Sequence, residues 1–210
     1  ERALEHLMVA VSAMGADVRS LEVHADRARR LVIACSGIDQ QLAVRTAIAS
    51  IDGLEVRSID DSTFALHEGG KVRVESVAPL AGPHDLAMAY TPGVGRVSQA
   101  IADEADLVWR YTGRSNAVAV LSNGTAVLGL GDIGPEAAMP VMEGKAVLFK
   151  QFGGVDAYPV CVDARSIDEV VAVGRAIAPT FGGINLEDIK APECFEIERR
   201  LQEELDIPVF

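Results

Sequence analysis

Residues 126–139 read AVLGLGDIGPEAAM, and they restrict the fold of this chain more than any other stretch. Gly129, Gly131 and Gly134 follow an apolar run and stop at Pro135, which suits the first turn of a helix because its missing N–H would be unpaired there anyway. Glycines at this spacing cradle dinucleotide phosphates only if a strand precedes them, a helix follows, and an acidic residue ends the next strand of a parallel βαβ unit. Two features argue against that. NAVAVLSNGTAVLGL places two apolar arms around Asn123-Gly124, a strong signal for an antiparallel type I′ hairpin. Asp156 precedes the next apolar run, YPVCV, instead of ending it. The glycines are therefore expected to form a tight turn that starts a helix, and no cofactor-binding residue is assigned to them.

Composition agrees with an α/β chain. The 210 residues are 49% hydrophobic but only 5% aromatic, so the core must be built from Ala, Val, Leu and Ile. A net charge of -12 excludes the clustered Lys and Arg that nucleic acid or an anionic membrane surface requires. No apolar run approaches the roughly 20 residues of a membrane span, and there is no basic-then-apolar leader pattern. The expected location is the cytoplasm. Cys35, Cys161 and Cys194 are far apart in apolar or helical contexts and read as reduced structural residues.

The first sixty residues alternate in pattern. Leu4, Leu7, Met8, Val11 and Met14 recur at helical spacing before Gly15, then DVRSLEVH and RLVIAC read as strands joined by a charged turn at residues 26–29. Asp39 is positioned to cap a second helix with Val44, Ala47, Ile48 and Ile51 on one face, and LEVRSI after Gly53 reads as a further strand. The order α-β-β-α-β is a ferredoxin-like βαββαβ unit without its first strand. Because that strand lies inside the sheet, residues upstream of Glu1 are expected in the native protein.

GGKVRVESVAPLAGPHD carries Gly and Pro without helical periodicity and reads as a connection between two halves. The expected organisation is a first domain over 1–70, a connection over 71–85 and a second domain over 86–210. In the second half, Pro140 is expected to break the helix begun at Pro135 and to leave Lys145 on a separate short helix. Ser166 and Glu169 form a capping box, and a last helix near Pro192 places Cys194, Ile197, Leu201 and Leu205 on one face. The terminal IPVF reads as a strand cut short.

Three places can carry chemistry. In YTPGV, Tyr90 precedes a Pro-Gly turn that either aims the phenol or simply packs it on its own loop. In MEGKA, Lys145 lies in apolar surroundings, where desolvation lowers a lysine pKa toward the range of a general base; the alternative is a solvated lysine paired with Glu143. In GGINLEDIKAP, Glu187 and Asp188 emerge together between Leu186 and Ile189. Adjacent carboxylates in an apolar frame suit Mg²⁺ or Mn²⁺, although they can also serve the helix dipole of the segment that starts at Pro192.

Together, HEGGKV, YTPGV, GTAVLGLGDIGPEAAMPVMEGKAVLFK, PTFGGINLEDI and IPVF, in this order, resemble the bacterial malic enzymes over residues 70–210. The first sixty residues resemble an ACT domain by topology, by GADVRSLEV and by position. The resemblance implies an enzyme that oxidises L-malate with NAD or NADP and a divalent metal (Mg²⁺ or Mn²⁺), then releases carbon dioxide to give pyruvate. It implies Lys145 as general base, Tyr90 as general acid for enolpyruvate, and Glu187 and Asp188 as metal ligands. It also implies a homodimer, a small-molecule effector at the ACT-like half, and a GLGDIG turn that belongs to the substrate side. In that family a third metal carboxylate follows PVF in a His-Asp-Asp stretch and a dinucleotide-binding domain comes next, so the nicotinamide would be bound mainly outside these residues. NAD is preferred over NADP because the ACT-bearing branch is NAD-linked.

Two other functions compete with this expectation. One is a non-catalytic sensing module with an oligomerisation platform. The other is a metal-dependent oxaloacetate decarboxylase that needs no nicotinamide.

Overall fold

Helical spacing of Leu4, Leu7 and Val11 gives α1 (Arg2–Ala13), and Gly15, at φ +70°, turns the chain out of it. The computed structural model describes residues 2–26 and 28–210. Two compact units divide the chain, Glu1–Asp61 and Ser62–Phe210.

In the first unit, β1 (Asp17–Val23) pairs antiparallel with β2 (Arg29–Ala34), and α2 (Ile38–Ala49) follows. Leu7, Val11, Ala16 and Val44 form the core, with Leu4, Met14 and Ile48 against it. Of the charged turn between the strands, Arg27 lies outside the described residues; Asp26 accepts from the Ala28 amide at 3.0 Å. Two expectations need correction. Asp39 does not cap α2, which has Gly37 at its N-cap and no side-chain cap bond. Asp39 lies inside the first turn, where its charge still complements the helix dipole. Residues 54–59 form no strand. The last strand of a βαββαβ unit pairs with that unit's first, and among the described residues no strand precedes α1.

The second unit begins with four short helices: α3 (Ser62–His67), α4 (Pro83–Ala89), α5 (Val94–Asp103) and α6 (Val108–Tyr111). None of them buries a residue fully. Three parallel strands follow: β3 (Ala117–Ser122), then α7 (Pro135–Gly153), β4 (Asp156–Cys161), α8 (Ile167–Ile177), β5 (Gly183–Leu186) and α9 (Glu193–Glu204). The sheet order is β4-β3-β5, so β3 is central and the chain crosses from one side of it to the other. Period-two alternation sends Val120 toward α7, where Met142, Ala146 and Ala157 meet it. Ala119, Leu121 and Ile184 face α8 and α9, against Val170, Val171, Ile197 and Leu201. The capping box at the start of α8 forms with both of its bonds. Residues 208–210 lie beside β5, with the Ile184 amide donating to Pro208 and the Leu186 amide to Phe210.

The expected hairpin at Asn123-Gly124 does not form. β3 pairs in parallel on both sides, which leaves no edge for an antiparallel arm. The Asn-Gly chemistry serves instead to end a buried strand: Asn123 is 4% exposed and donates to the Ala164 carbonyl at 3.0 Å. Nor does Pro140 split the helix, because α7 runs unbroken for 19 residues. Pro140 is its sixth residue, so its missing N–H removes one bond, to Glu136, while fully buried Ala138 and Met142 hold the helix on the sheet. Lys145 therefore belongs to the same helix as Pro135.

Candidate active site

The loops that leave β3 and β5 meet at the carboxyl ends of two parallel strands, where α/β sheets place their ligands. The Glu187 amide donates to the Leu121 carbonyl at 2.9 Å, which carries the ladder one residue past β5. Asp188 then turns at φ +51°, a conformation that Asp tolerates better than most residues. Its carbonyl accepts from the Ala126 amide at 3.0 Å, and the Lys190 amide donates to the Thr125 hydroxyl oxygen at 3.0 Å. Thr125 in turn donates to Asn123 at 2.7 Å. The buried polar residues Asn123 and Thr125 fix the carboxylate turn, and their one local sign is that SNGT interrupts an apolar run.

At the base of the β3 loop, the Ile133 and Gly134 amides both donate to the Gly124 carbonyl. A Cβ at Gly124 would lie 2.2 Å from the Gly134 oxygen, so the two chain segments touch backbone to backbone. The loop thus leaves a parallel strand, enters a helix and is followed by a second parallel strand, the topology of a nucleotide cradle. Its chemistry differs. The amides of Gly131 and Gly134 are already bonded to Val127 and Gly124. Asp156 stands at the amino end of β4, away from the loop, paired with Lys150 at 2.7 Å.

Lys145 comes from α7 and meets Glu187, with Nζ 3.0 Å from Oε2. The ammonium is partly exposed and the carboxylate more enclosed, with side chains 36% and 21% accessible. Lys145 therefore pairs with Glu187 across the fold, not with Glu143, whose carboxylate accepts from the Lys71 amide instead. Asp188 is held above the usual carboxylate range, first by desolvation and then by the charge of Glu187, against the opposing pull of Lys145. Its Oδ2 is buried without a hydrogen-bond partner. Two adjacent carboxylates with one orphaned, desolvated oxygen fit a hard divalent cation, which supplies the missing positive partner. Among the described residues no third Asp, Glu, His or Cys completes a metal-binding group.

Tyr90 is not brought to this cluster. It stands at the end of α4, 68% exposed, and its phenol bonds to no described residue.

Residues 70–167 and 164–202 match the sequence family described as "Malic enzyme, N-terminal domain". The chain belongs to the malic enzymes. Its likeness to the NAD-dependent malic enzyme of Geobacillus stearothermophilus is 49% identity over 208 residues, covering 97% of this chain and 44% of that protein. NAD-dependent malic enzyme 1 of Bacillus subtilis is 38% identical over 211 residues, covering 98% of this chain and 48% of that protein. Both matches include the first unit. The crystal structure of a malic enzyme from Pyrococcus horikoshii superposes with a TM-score of 0.70 at 49% identity, over 71% of this chain and 36% of that one. This malic enzyme chain thus spans about half the length of the curated relatives it matches. Lys145, Glu187 and Asp188 all lie within the family match.

Proposed function

We propose that the chain carries the substrate half of an enzyme that converts L-malate to pyruvate and carbon dioxide with reduction of NAD or, alternatively, NADP. The observation that carries this reading is the 3.0 Å contact between Lys145 and Glu187 beside the unpartnered Asp188 oxygen, within a malic enzyme domain. Glu187 and Asp188 hold Mg²⁺ or Mn²⁺ through carboxylate oxygens. A cation held there would polarise the substrate oxygen, and a nicotinamide would supply the acceptor for the hydride from C2. Lys145 accepts the malate hydroxyl proton while that hydride leaves. Loss of the distal carboxylate as carbon dioxide leaves the enolate of pyruvate, and Tyr90 donates a proton to its C3. The nicotinamide is assigned mainly to residues outside this chain.

The exposed apolar side chains of Leu86 and Met88 beside Tyr90 support a homodimer, in which α4 is covered by a second subunit. For residues 1–70 the reading is an ACT-like domain that binds a small-molecule effector, supported by the antiparallel β1–β2 pair between α1 and α2. The cytoplasm is the assigned location.

The test is malate-dependent reduction of NAD and NADP with Mn²⁺ by the full-length protein. Turnover that Lys145→Ala abolishes, and a Tyr90→Phe enzyme that loses pyruvate formation, support both roles. An inactive parent with either nicotinamide sinks the reading.

A further inference from the structure

Asn185, on β5, is a buried amide with one end unused. It is 6% exposed, and its Nδ2 donates to the Leu186 carbonyl at 3.2 Å. A carbonyl can only accept, so the nitrogen must face it and Oδ1 is the end left over. Among the described residues no group donates to that oxygen. An acceptor buried this deeply is normally paired.

The fold decides which donor can reach it. Asn185 pairs with Val120 across the parallel ladder, so it lies on the sheet face covered by α7, where Met142 and Ala146 pack on Val120. Phe210, beside β5 on its outer side, meets Phe149 of α7 with ring centroids 6.2 Å apart, so the helix extends over Asn185 as well. Across residues 142–149, Lys145 has the one side chain with an N–H or O–H to donate. It stands between Met142 and Ala146, and helix side chains lean toward the amino end, so its stem runs from the level of Asn185 toward Glu187. Glu187 follows Asn185 by two residues and shares its face. One nitrogen thus has two acceptors along its path: the carboxylate that it meets at 3.0 Å and an amide oxygen without a donor.

We propose that Asn185 is a positioning residue for Lys145, whose nitrogen donates to Asn185 Oδ1 when a divalent cation engages the Glu187 carboxylate. This rests on the reading of Glu187 and Asp188 as metal ligands. The cation and Lys145 compete for the same carboxylate oxygens, and the lysine nitrogen has an N–H to donate in either protonation state. A neutral acceptor keeps that nitrogen in place without adding a third negative charge beside Glu187 and Asp188.

The test is a double-mutant cycle on Mn²⁺ affinity, read by EPR of free Mn²⁺ with the full-length protein and no substrate. Asn185→Leu removes the acceptor and keeps the branched shape of the side chain. Affinity should fall about threefold or more, the size of one net hydrogen bond, because Lys145 then has only Glu187 to hold. In a Lys145→Met background the same substitution should leave the affinity unchanged, since the nitrogen that Asn185 serves is gone. Asn185→Val, smaller and also without an acceptor, repeats the measurement in case the leucine overfills the site. Unchanged affinity in both variants overturns the proposal. So does an equal loss in the Lys145→Met background, which gives the oxygen to water or to another group. A parent that binds no Mn²⁺ removes the cation site and the proposal with it, whereas a parent that binds Mn²⁺ no better than either variant overturns this proposal alone.

Discussion

The amide of Ala126 donates to the carbonyl of Asp188 at 3.0 Å, so the loop after β3 and the turn after β5 form one piece at the carboxylate pair. Thr125 strengthens that joint by accepting from Lys190. Thr125→Val removes the acceptor and leaves the part-buried Lys190 N–H without this partner, which costs about 1 kcal/mol. Urea unfolding should show that loss, and Thr125→Ser should recover most of it.

Asp188→Asn should act in opposite directions with and without metal. Asp188 is desolvated and next to the negative Glu187, and its burial opposes ionisation. The neutral amide relieves that repulsion and keeps a side chain suited to positive φ. Thermal unfolding in EDTA should rise above the parent, while the Mn²⁺ affinity measured by EPR of free Mn²⁺ falls about tenfold or more. A variant that binds Mn²⁺ like the parent removes Asp188 from the ligand set.

The α8–α9 face should respond most to truncation at Leu201. Leu201 is fully buried and in contact range of Gly174, where an added Cβ would lie 2.8 Å from Leu201 Cδ2. Helices this close leave little room to collapse into a cavity. Leu201→Ala is expected to cost about 2–5 kcal/mol in denaturant unfolding.

Acid stability should depend on Glu169. Amide bonds from Ser166 and Arg165 hold its carboxyl below the usual carboxylate range. A depressed folded-state pKa means that stability is fully present above the unfolded value, about 4.3, and is lost as pH falls through the folded one. Unfolding midpoints from pH 6 to pH 3 should therefore fall less steeply in Glu169→Gln. Ser166→Ala removes the reciprocal cap bond and should cost about 1 kcal/mol at neutral pH.

Local signals in the sequence carried much of the fold. Leu7 and Val11, the Ser166–Glu169 box, and Ile197 with Leu201 behave as their spacing predicts, because each depends on neighbours within one or two turns. The misread elements depend on distant partners. Residues 54–59 have strand chemistry but, among the described residues, no strand pairs with them, Pro140 is held in helix by burial of Ala138 and Met142, and Asn123-Gly124 ends a strand flanked on both sides. At the site, Lys145, Glu187 and Asp188 were legible as residue types, but the Lys145–Glu187 pair spans the β3–β5 fold and no local spacing encodes it. Asn123-Gly124 has the chemistry of a hairpin turn because a polar insertion looks alike in a hairpin and at a buried strand end.

The contact between Gly124 and Gly134 also sets a lever. From Gly134 to Lys145 the helix rises about 16 Å at 1.5 Å per residue, so a tilt of roughly 10° at the glycine fulcrum swings the lysine by about 3 Å. That displacement equals the whole 3.0 Å separation between Nζ and Glu187. Any side chain added at Gly124 acts at the short arm of this lever, and its effect is magnified eleven residues away.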